Sequence, residues 1–346
     1  MNAVISPVTK VFYALGTENA ISVYDLSCED PAIDESAVNE AIYEAAERLT
    51  EIDDEMSVYK DGSDISKINH SAGSNAVQVS LDTWSVLKKA VEYGMASNGA
   101  IDVTIRPLTK LWGINDAAGS GSERDKRYIP DDPAIEEALK LVDFNDIVFY
   151  EETRSIMLRR IGQSLDLGGI AKGFAADEVK KILAGRGIRS SIVNLGGNVT
   201  AIGNRMDGQR WLIGIQDPAR LRGEYMGMIP VSDRSVVTSA SYERYFWDNG
   251  RRFHHIIDPT TGYPAERSVL SATVAAPRSI DADALSTCIF TMGPQKGMKF
   301  IRRLKSEGMD VDAVIICENG SVLATPGIRM NNGLRIVRSG YYFLEA

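Results

Sequence analysis

Three stretches of this chain carry residues whose types and spacing could do chemistry. The first is QSLDLGGIAKGFAADE, Gln163 to Glu178, read as a short buried strand, a two-glycine turn and a helix opening on Ala171, Lys172 and Gly173. Glycines at a strand-to-helix junction let backbone approach a ligand closely, and the helix start offers free N–H groups to an anion. Lys172 falls at the positive end of the helix dipole, which disfavours a cation unless something negative lies beside it. A phosphate would answer that need; a solvent-facing lysine beside a packing turn is the plainer alternative.

The second stretch is the helix expected over Ile280 to Met292, where Ala284, Leu285, Cys288, Ile289 and Met292 form a buried stripe. Asp283 and Thr287, one turn apart, project together from the opposite side. A carboxylate and a hydroxyl so placed offer two hard oxygens to one magnesium ion. The alternative is an acidic residue that complements the helix dipole, aided by Asp281. The third stretch is HHIIDPTTG, His254 to Gly262, which holds two of the three histidines. Neighbours on a strand point to opposite faces, so at most one of His254 and His255 enters a given site. Histidine suits acid–base work near neutral pH; a pair of half-buried histidines holding a turn is the alternative.

Weaker signals surround these. Asn194 to Asn198 (NLGGN) is a glycine turn, fit for approach to a flat ring or simply for packing. Thr238 to Phe246 (TSASYERYF) suits either a cleft wall or an edge strand with solvated charges. Met56 to Tyr59 and Asp102 are ambiguous in isolation.

The elements that must position these residues follow from periodicity. Val8 to Leu26 predicts two strands about Gly16-Thr17, and Asp34 to Asp54 an amphipathic helix with Val38, Ala41, Ile42, Ala45, Leu49 and Ile52 inward. Ser80 caps a helix to Ser97, stopped by Gly99, and the polar 56–73 segment between them is expected as a loop. Ala100 to Gly113 is expected to line a cleft, and Asn115 to Pro133 to form a mobile surface insertion. Beyond lie a helix from Pro133 to Leu141, a hairpin from Ile147 to Leu158, several short β-type runs, and helices Ile280 to Met292 and Pro294 to Ser306. Closing strands are expected near Asp312 to Cys317 and Leu334 to Val337. The expected class is one α+β domain over residues 1–346, with a mixed, mostly antiparallel sheet flanked by helices.

Composition bounds the partners. The chain has 346 residues, 44% of them hydrophobic, ample for a core. A net charge of −9 argues against nucleic acid bound through its phosphates. An acidic protein holding a polyphosphate would need a local remedy such as a metal ion. Cys28, Cys288 and Cys317 are far apart and form neither a disulfide framework nor a zinc site. No signal peptide or membrane span is evident, so the expected location is cytoplasmic as written, or extracytoplasmic if a leader was removed.

Taken together and in order, MSVYKDGSDISKIN, AIDVTIRPLTKLWG, SLDLGGIAKGFAAD, IVNLGGNV, TSASYERYF, HHIIDPTTGYP and DADALSTCIFTMG resemble the FAD:protein FMN transferases, the ApbE-type flavin transferases with their T-fold-like architecture. The resemblance covers roughly residues 10 to 325. It implies binding of FAD and Mg²⁺, transfer of FMN to a Ser or Thr hydroxyl of an acceptor flavoprotein, and release of AMP. It implies metal held by Asp283, Thr287 and the Gly169 carbonyl. It also implies FAD contacts from Tyr59, Asp102, Asp166, Lys172 and Ile256, and His255 as the group that activates the acceptor hydroxyl. Leu15 stands where such proteins usually have Met, and Ala240 where they commonly have Gly. The acceptor motif of the system, Asp-x-x-Thr-Gly-Ala-Thr or similar, is not found here, so the chain reads as the modifying enzyme. A Mg²⁺-dependent FAD pyrophosphatase and a non-catalytic FAD-binding protein are the alternatives.

Overall fold

The computed structural model describes residues 7–25, 34–114, 129–329 and 333–344. In chain order the elements are β1 (Val8–Ala14), β2 (Thr17–Val23), α1 (Glu35–Met56), α2 (Asp64–His70), β3 (Val77–Gln78), α3 (Leu81–Ala96), α4 (Arg106–Trp112) and α5 (Asp132–Leu139). Then come β4 (Ile147–Tyr150), β5 (Ser155–Leu158), α6 (Ala171–Gly185), β6 (Ser191–Leu195), β7 (Asn198–Ile202), β8 (Trp211–Gln216), β9 (Tyr225–Val231) and β10 (Ser235–Ala240). The chain closes with β11 (Tyr245–Asp248), β12 (Arg251–His254), β13 (Val269–Ala276), α7 (Ser279–Met292), α8 (Pro294–Ser306), β14 (Asp312–Cys317), β15 (Ser321–Ala324), α9 (Pro326–Arg329), β16 (Arg335–Ile336) and β17 (Tyr342–Phe343).

Local chemistry sets the helix starts. The Asp34 carboxylate accepts from the Ala37 N–H at 2.8 Å, and the Ser80 and Asp131 side chains cap α3 and α5 in the same way. The inward face of α1 is the expected one, with Val38, Ala41, Ile42, Ala45, Leu49 and Ile52 all buried. The segment 56–73, expected as loop, instead contains α2. Ser63 caps that helix by accepting from Ser66 N–H at 2.9 Å, and Ile65 and Ile68 are buried. Seven residues are too few for a periodic signal, so tertiary burial decides the matter. The strand expected before the glycine pair is reduced to one bridge, Ile105 to Ser164. Of the expected 115–133 insertion, residues 115–128 lie outside the described residues, and the rest leads into α5.

The main sheet has nine strands in the order β1-β2-β6-β7-β10-β13-β14-β15-β17. Neighbours are antiparallel except β15 and β17, which run parallel. The class is α+β, with a mixed, mostly antiparallel sheet. Its strands β13, β14 and β15 are buried on both sides because both faces are covered there. Ala272, Val274 and Ala276 of β13 face the helices α1, α6 and α7, whereas Ala275 faces the small sheet β16-β9-β8. Consequently α7, packed between sheet and helices, is buried nearly all round, including Asp281, Asp283 and Ser286. A third apolar cluster joins α4 and α5 to the β11–β12 hairpin through Leu108, Trp112, Ile135, Phe246 and Phe253. Among the described residues no helix is long and apolar enough to cross a membrane.

Candidate active site

The site is built on the crossing of α6 and α7, and Gly173 sets how close they come. A Cβ at that position would lie 2.5 Å from the Ser279 carbonyl oxygen, 2.6 Å from Ile280 Cα and 2.7 Å from Asp283 Cβ. Only glycine allows this approach. The Gly173 N–H, left free at the helix start, donates to Asp283 Oδ2 at 2.8 Å. In return Asp177, one turn further along α6, accepts from the Ser279 N–H at 2.6 Å and the Ile280 N–H at 3.0 Å. One carboxylate thus caps α7 from a neighbouring helix, and the two contacts fix Asp283 relative to Lys172. Asp177 was not singled out from sequence, because a cap supplied about 100 positions away leaves no local signature.

Asp283 is only 5% exposed, and burial raises its pKa, opposed by the Lys172 charge and the Gly173 N–H. A buried carboxylate with so little compensation favours a cation beside it. Thr287, one turn on, lies against Gly169: a Cβ there would sit 3.5 Å from the threonine Oγ1. Ser239 of β10 shares hydrogen bonds with Thr287 Oγ1 at 3.2 Å and Ser286 Oγ at 2.8 Å, so sheet as well as helix orients the hydroxyl. The glycine turn is pinned by Asp166, whose Oδ1 accepts from Gly168 N–H at 2.9 Å and whose Oδ2 accepts from Thr109 Oγ1 at 3.2 Å. Lys172 Nζ donates to the Gly168 carbonyl at 3.2 Å, and an ammonium has three donors, so it can also serve a ligand.

The two histidines divide the readings between them. His254 is buried; its Nε2 faces the Ala265 carbonyl at 3.1 Å and its Nδ1 accepts from the Ile256 N–H at 3.3 Å. Both nitrogens are occupied in holding the turn. His255 Nδ1 faces the Arg244 carbonyl at 3.2 Å. A carbonyl only accepts, so Nδ1 carries the proton and Nε2 presents its lone pair. Desolvation lowers the His255 pKa to about 3, aided by the nearby His254, Arg244 and Lys172 charges, and the ring is therefore neutral at physiological pH.

These groups open onto one cavity of about 2090 Å³, lined by Tyr59, Asp102, Asp166, Gly169, Lys172, His255, Ile256, Asp283 and Thr287 among others. All nine residues singled out from sequence therefore share a single cleft. They differ in how they sit there. Tyr59 is 63% exposed with the Arg106 guanidinium 5.1 Å from its ring centre, whereas Ile256 is buried wall. The Asp102 oxygens accept from Thr104 N–H, Thr104 Oγ1 and Phe144 N–H at 2.6 to 2.9 Å, so this carboxylate also ties the loop before α4 to the chain beyond α5. The TSASYERYF segment is cleft wall, contributing Ser239, Arg244 and Tyr245.

Comparison with known proteins agrees with this architecture. A model of the ApbE family matches residues 15–312. The FAD:protein FMN transferase of Treponema pallidum (strain Nichols) is 35% identical over 327 residues, covering 91% of this chain and 85% of that protein. The one from Klebsiella pneumoniae (strain 342) is 33% identical over 293 residues, covering 85% and 86%. The crystal structure of the ApbE protein from Thermotoga maritima superposes with a TM-score of 0.81 at 30% identity, over 93% of this chain and 98% of that one. The flavin transferase ApbE from Vibrio cholerae gives 0.79 at 28% identity, again over 93% and 98%. A matching family model over most of the length, relatives at this identity and a shared fold together mean that the chain belongs to the ApbE family.

Proposed function

We propose that this protein transfers the FMN moiety of FAD to a Ser or Thr hydroxyl of an acceptor flavoprotein and releases AMP. The observation that carries the reading is the convergence, in one cavity, of a cation (Lys172), a buried carboxylate–hydroxyl pair (Asp283 and Thr287) and a neutral imidazole with an open Nε2 (His255). Asp283, Thr287 and the Gly169 carbonyl are the oxygens that would hold Mg²⁺. Among the described residues no three His, Cys, Asp or Glu side chains gather as a metal cage. One carboxylate with neutral oxygens suits Mg²⁺, which completes its shell with substrate phosphates and water. When bound it supplies neutralisation of the diphosphate charge.

The chain's own residues do the rest. Lys172 stabilises charge on the phosphate oxygens. His255 Nε2 accepts the proton of the attacking hydroxyl. The acceptor oxygen bonds to the FMN phosphorus, the bond from that phosphorus to the bridging oxygen breaks, and AMP carries away the electron pair. Tyr59, Asp102, Asp166 and Ile256 are placed to shape the FAD pocket around this centre, and positioning of this kind supplies most of the catalysis in phosphoryl transfer.

The test is intact mass spectrometry after incubation with FAD, Mg²⁺ and a domain carrying Asp-x-x-Thr-Gly-Ala-Thr. One FMN added covalently to the domain, and none in EDTA, supports the transferase. Free FMN and AMP with an unmodified domain would replace it by the pyrophosphatase, in which water takes the hydroxyl's place. Intact FAD throughout would leave a binding protein.

A further inference from the structure

At about 2090 Å³ the cavity exceeds the ~300–1,000 Å³ of ordinary small-molecule sites, and its wall continues past His255 along β11 through Tyr245, Trp247 and Asp248. β11 and β12 form a sheet of their own, with Phe246 opposite Phe253 and Trp247 opposite Arg252. Opposed residues share a face, and successive residues alternate. One face is therefore anchored. Phe246 stacks on Phe253 with centroids 5.3 Å apart, and Phe253 on Trp112 of α4 at 5.7 Å.

The other face carries Tyr245, Trp247 and Arg252, and it is pre-organised. Tyr245 meets Trp247 edge-on at 6.3 Å, and the Arg252 guanidinium lies 5.7 Å over the Tyr245 ring. Arg252 Nη2 donates to Ser241 Oγ at 2.8 Å, which holds the guanidinium in place. The Asn249-Gly250 turn has positive φ at both residues, the geometry that matches hairpin twist. Trp247, held in this setting, is still 63% exposed. A large aromatic beside a fixed arginine, open to water at the rim of a reactive cavity, has the composition of a binding hot spot. Little ordering remains to be done when a partner arrives.

The occupant follows from connectivity. The groups suited to a diphosphate come from α6 and α7, on other elements. β12 runs directly into His255, and the acceptor hydroxyl is the group that must reach His255. We propose that the Tyr245–Trp247–Arg252 face of the β11–β12 hairpin is the docking surface for the acceptor polypeptide, which lies along it and presents its hydroxyl to His255. This rests on the transferase reading above.

The experiment compares wild type, Trp247→Ala and Trp247→Phe in FMN transfer to the same domain, varying domain and FAD separately, with melting temperature measured alongside. Trp247→Ala is expected to raise KM for the domain about tenfold or more, with Trp247→Phe between it and wild type. KM for FAD and the melting temperature are expected to stay at wild-type values. An unchanged KM for the domain, or a KM for FAD that rises in step with it, would overturn the docking assignment while leaving the transferase standing. If wild type releases AMP from FAD yet never labels the domain, the transferase reading fails and the docking surface falls with it.

Discussion

Replacing Gly173 by alanine sets two effects of opposite sign against each other. Helix propensity alone predicts a gain of about 1 kcal/mol, because alanine is the better helix former. The structure predicts the reverse. The added methyl would meet the Ser279 carbonyl oxygen, Ile280 Cα and Asp283 Cβ at 2.5, 2.6 and 2.7 Å. Carbon contacts are comfortable near 3.5–4.0 Å, so α7 must recede by about 1 Å. The 2.8 Å bond from Gly173 N–H to Asp283 would then pass the useful limit. Overpacking costs about 1–3 kcal/mol and the lost charged hydrogen bond about 1.5–3, so the net is a destabilisation of roughly 1.5–5 kcal/mol after the propensity gain. At about 2 °C per kcal/mol for a chain of this size, melting should fall by about 3–10 °C. The same displacement separates Asp283 from Lys172, and a misplacement of ~1 Å costs on the order of 100-fold in rate. Scanning calorimetry and a Mg²⁺ titration of FMN transfer read the two effects separately. A variant that melts higher than wild type and keeps its Mg²⁺ dependence would refute the argument, since it would mean the two helices are not in contact as described.

Two further predictions concern the charges. Asp283→Asn keeps an oxygen for the Gly173 N–H but removes a buried charge, so the metal-free protein should melt higher while Mg²⁺-dependent transfer falls by on the order of 100-fold or more. Burial raises the Asp283 pKa, so its contribution to stability is lost as pH rises through that value. The advantage of the Asn variant in EDTA should therefore grow from about pH 4 towards neutrality, and a constant difference would count against it. His255 is held down to about 3 and His254 to about 4, against an ordinary value of 6.5. The unfolded chain thus binds more protons than the folded one between those values, and stability should rise with pH across that window and be lost in acid. For the same reason kcat/KM should show no inflection near the ordinary histidine value, while His255→Asn keeps FAD binding and loses about 10²–10⁴-fold in transfer. An inflection near neutrality that disappears in His255→Asn would show that the ring is solvated and titrates normally.

The amino-acid sequence by itself determined the elements whose signals are local. The apolar stripe of α1, the Ser80 cap of α3, the glycine pair before α6 and the Asp283–Thr287 pair on α7 were each legible, because periodicity, capping and one-turn spacing act within a few residues. The short α2 and the isolated bridge at Ser164 were not, since burial by distant segments outweighs propensity over so few residues. Site residues could be named singly, each with a bland alternative beside it, and only the order of the motifs tied them together. Tertiary structure alone decided what surrounds each of them. It occupied both nitrogens of His254 and placed His255 in the cavity wall with its Nδ1 against the Arg244 carbonyl. It buried Asp283 on a helix enclosed on all sides, where the sequence suggested an open polar face. It brought Asp177 and Ser239 to orient groups far along the chain. The physical reason is the same in each case: hydrogen bonding and desolvation at a site depend on what the fold packs around a residue, and those neighbours come from sequence positions that carry no local mark of the encounter.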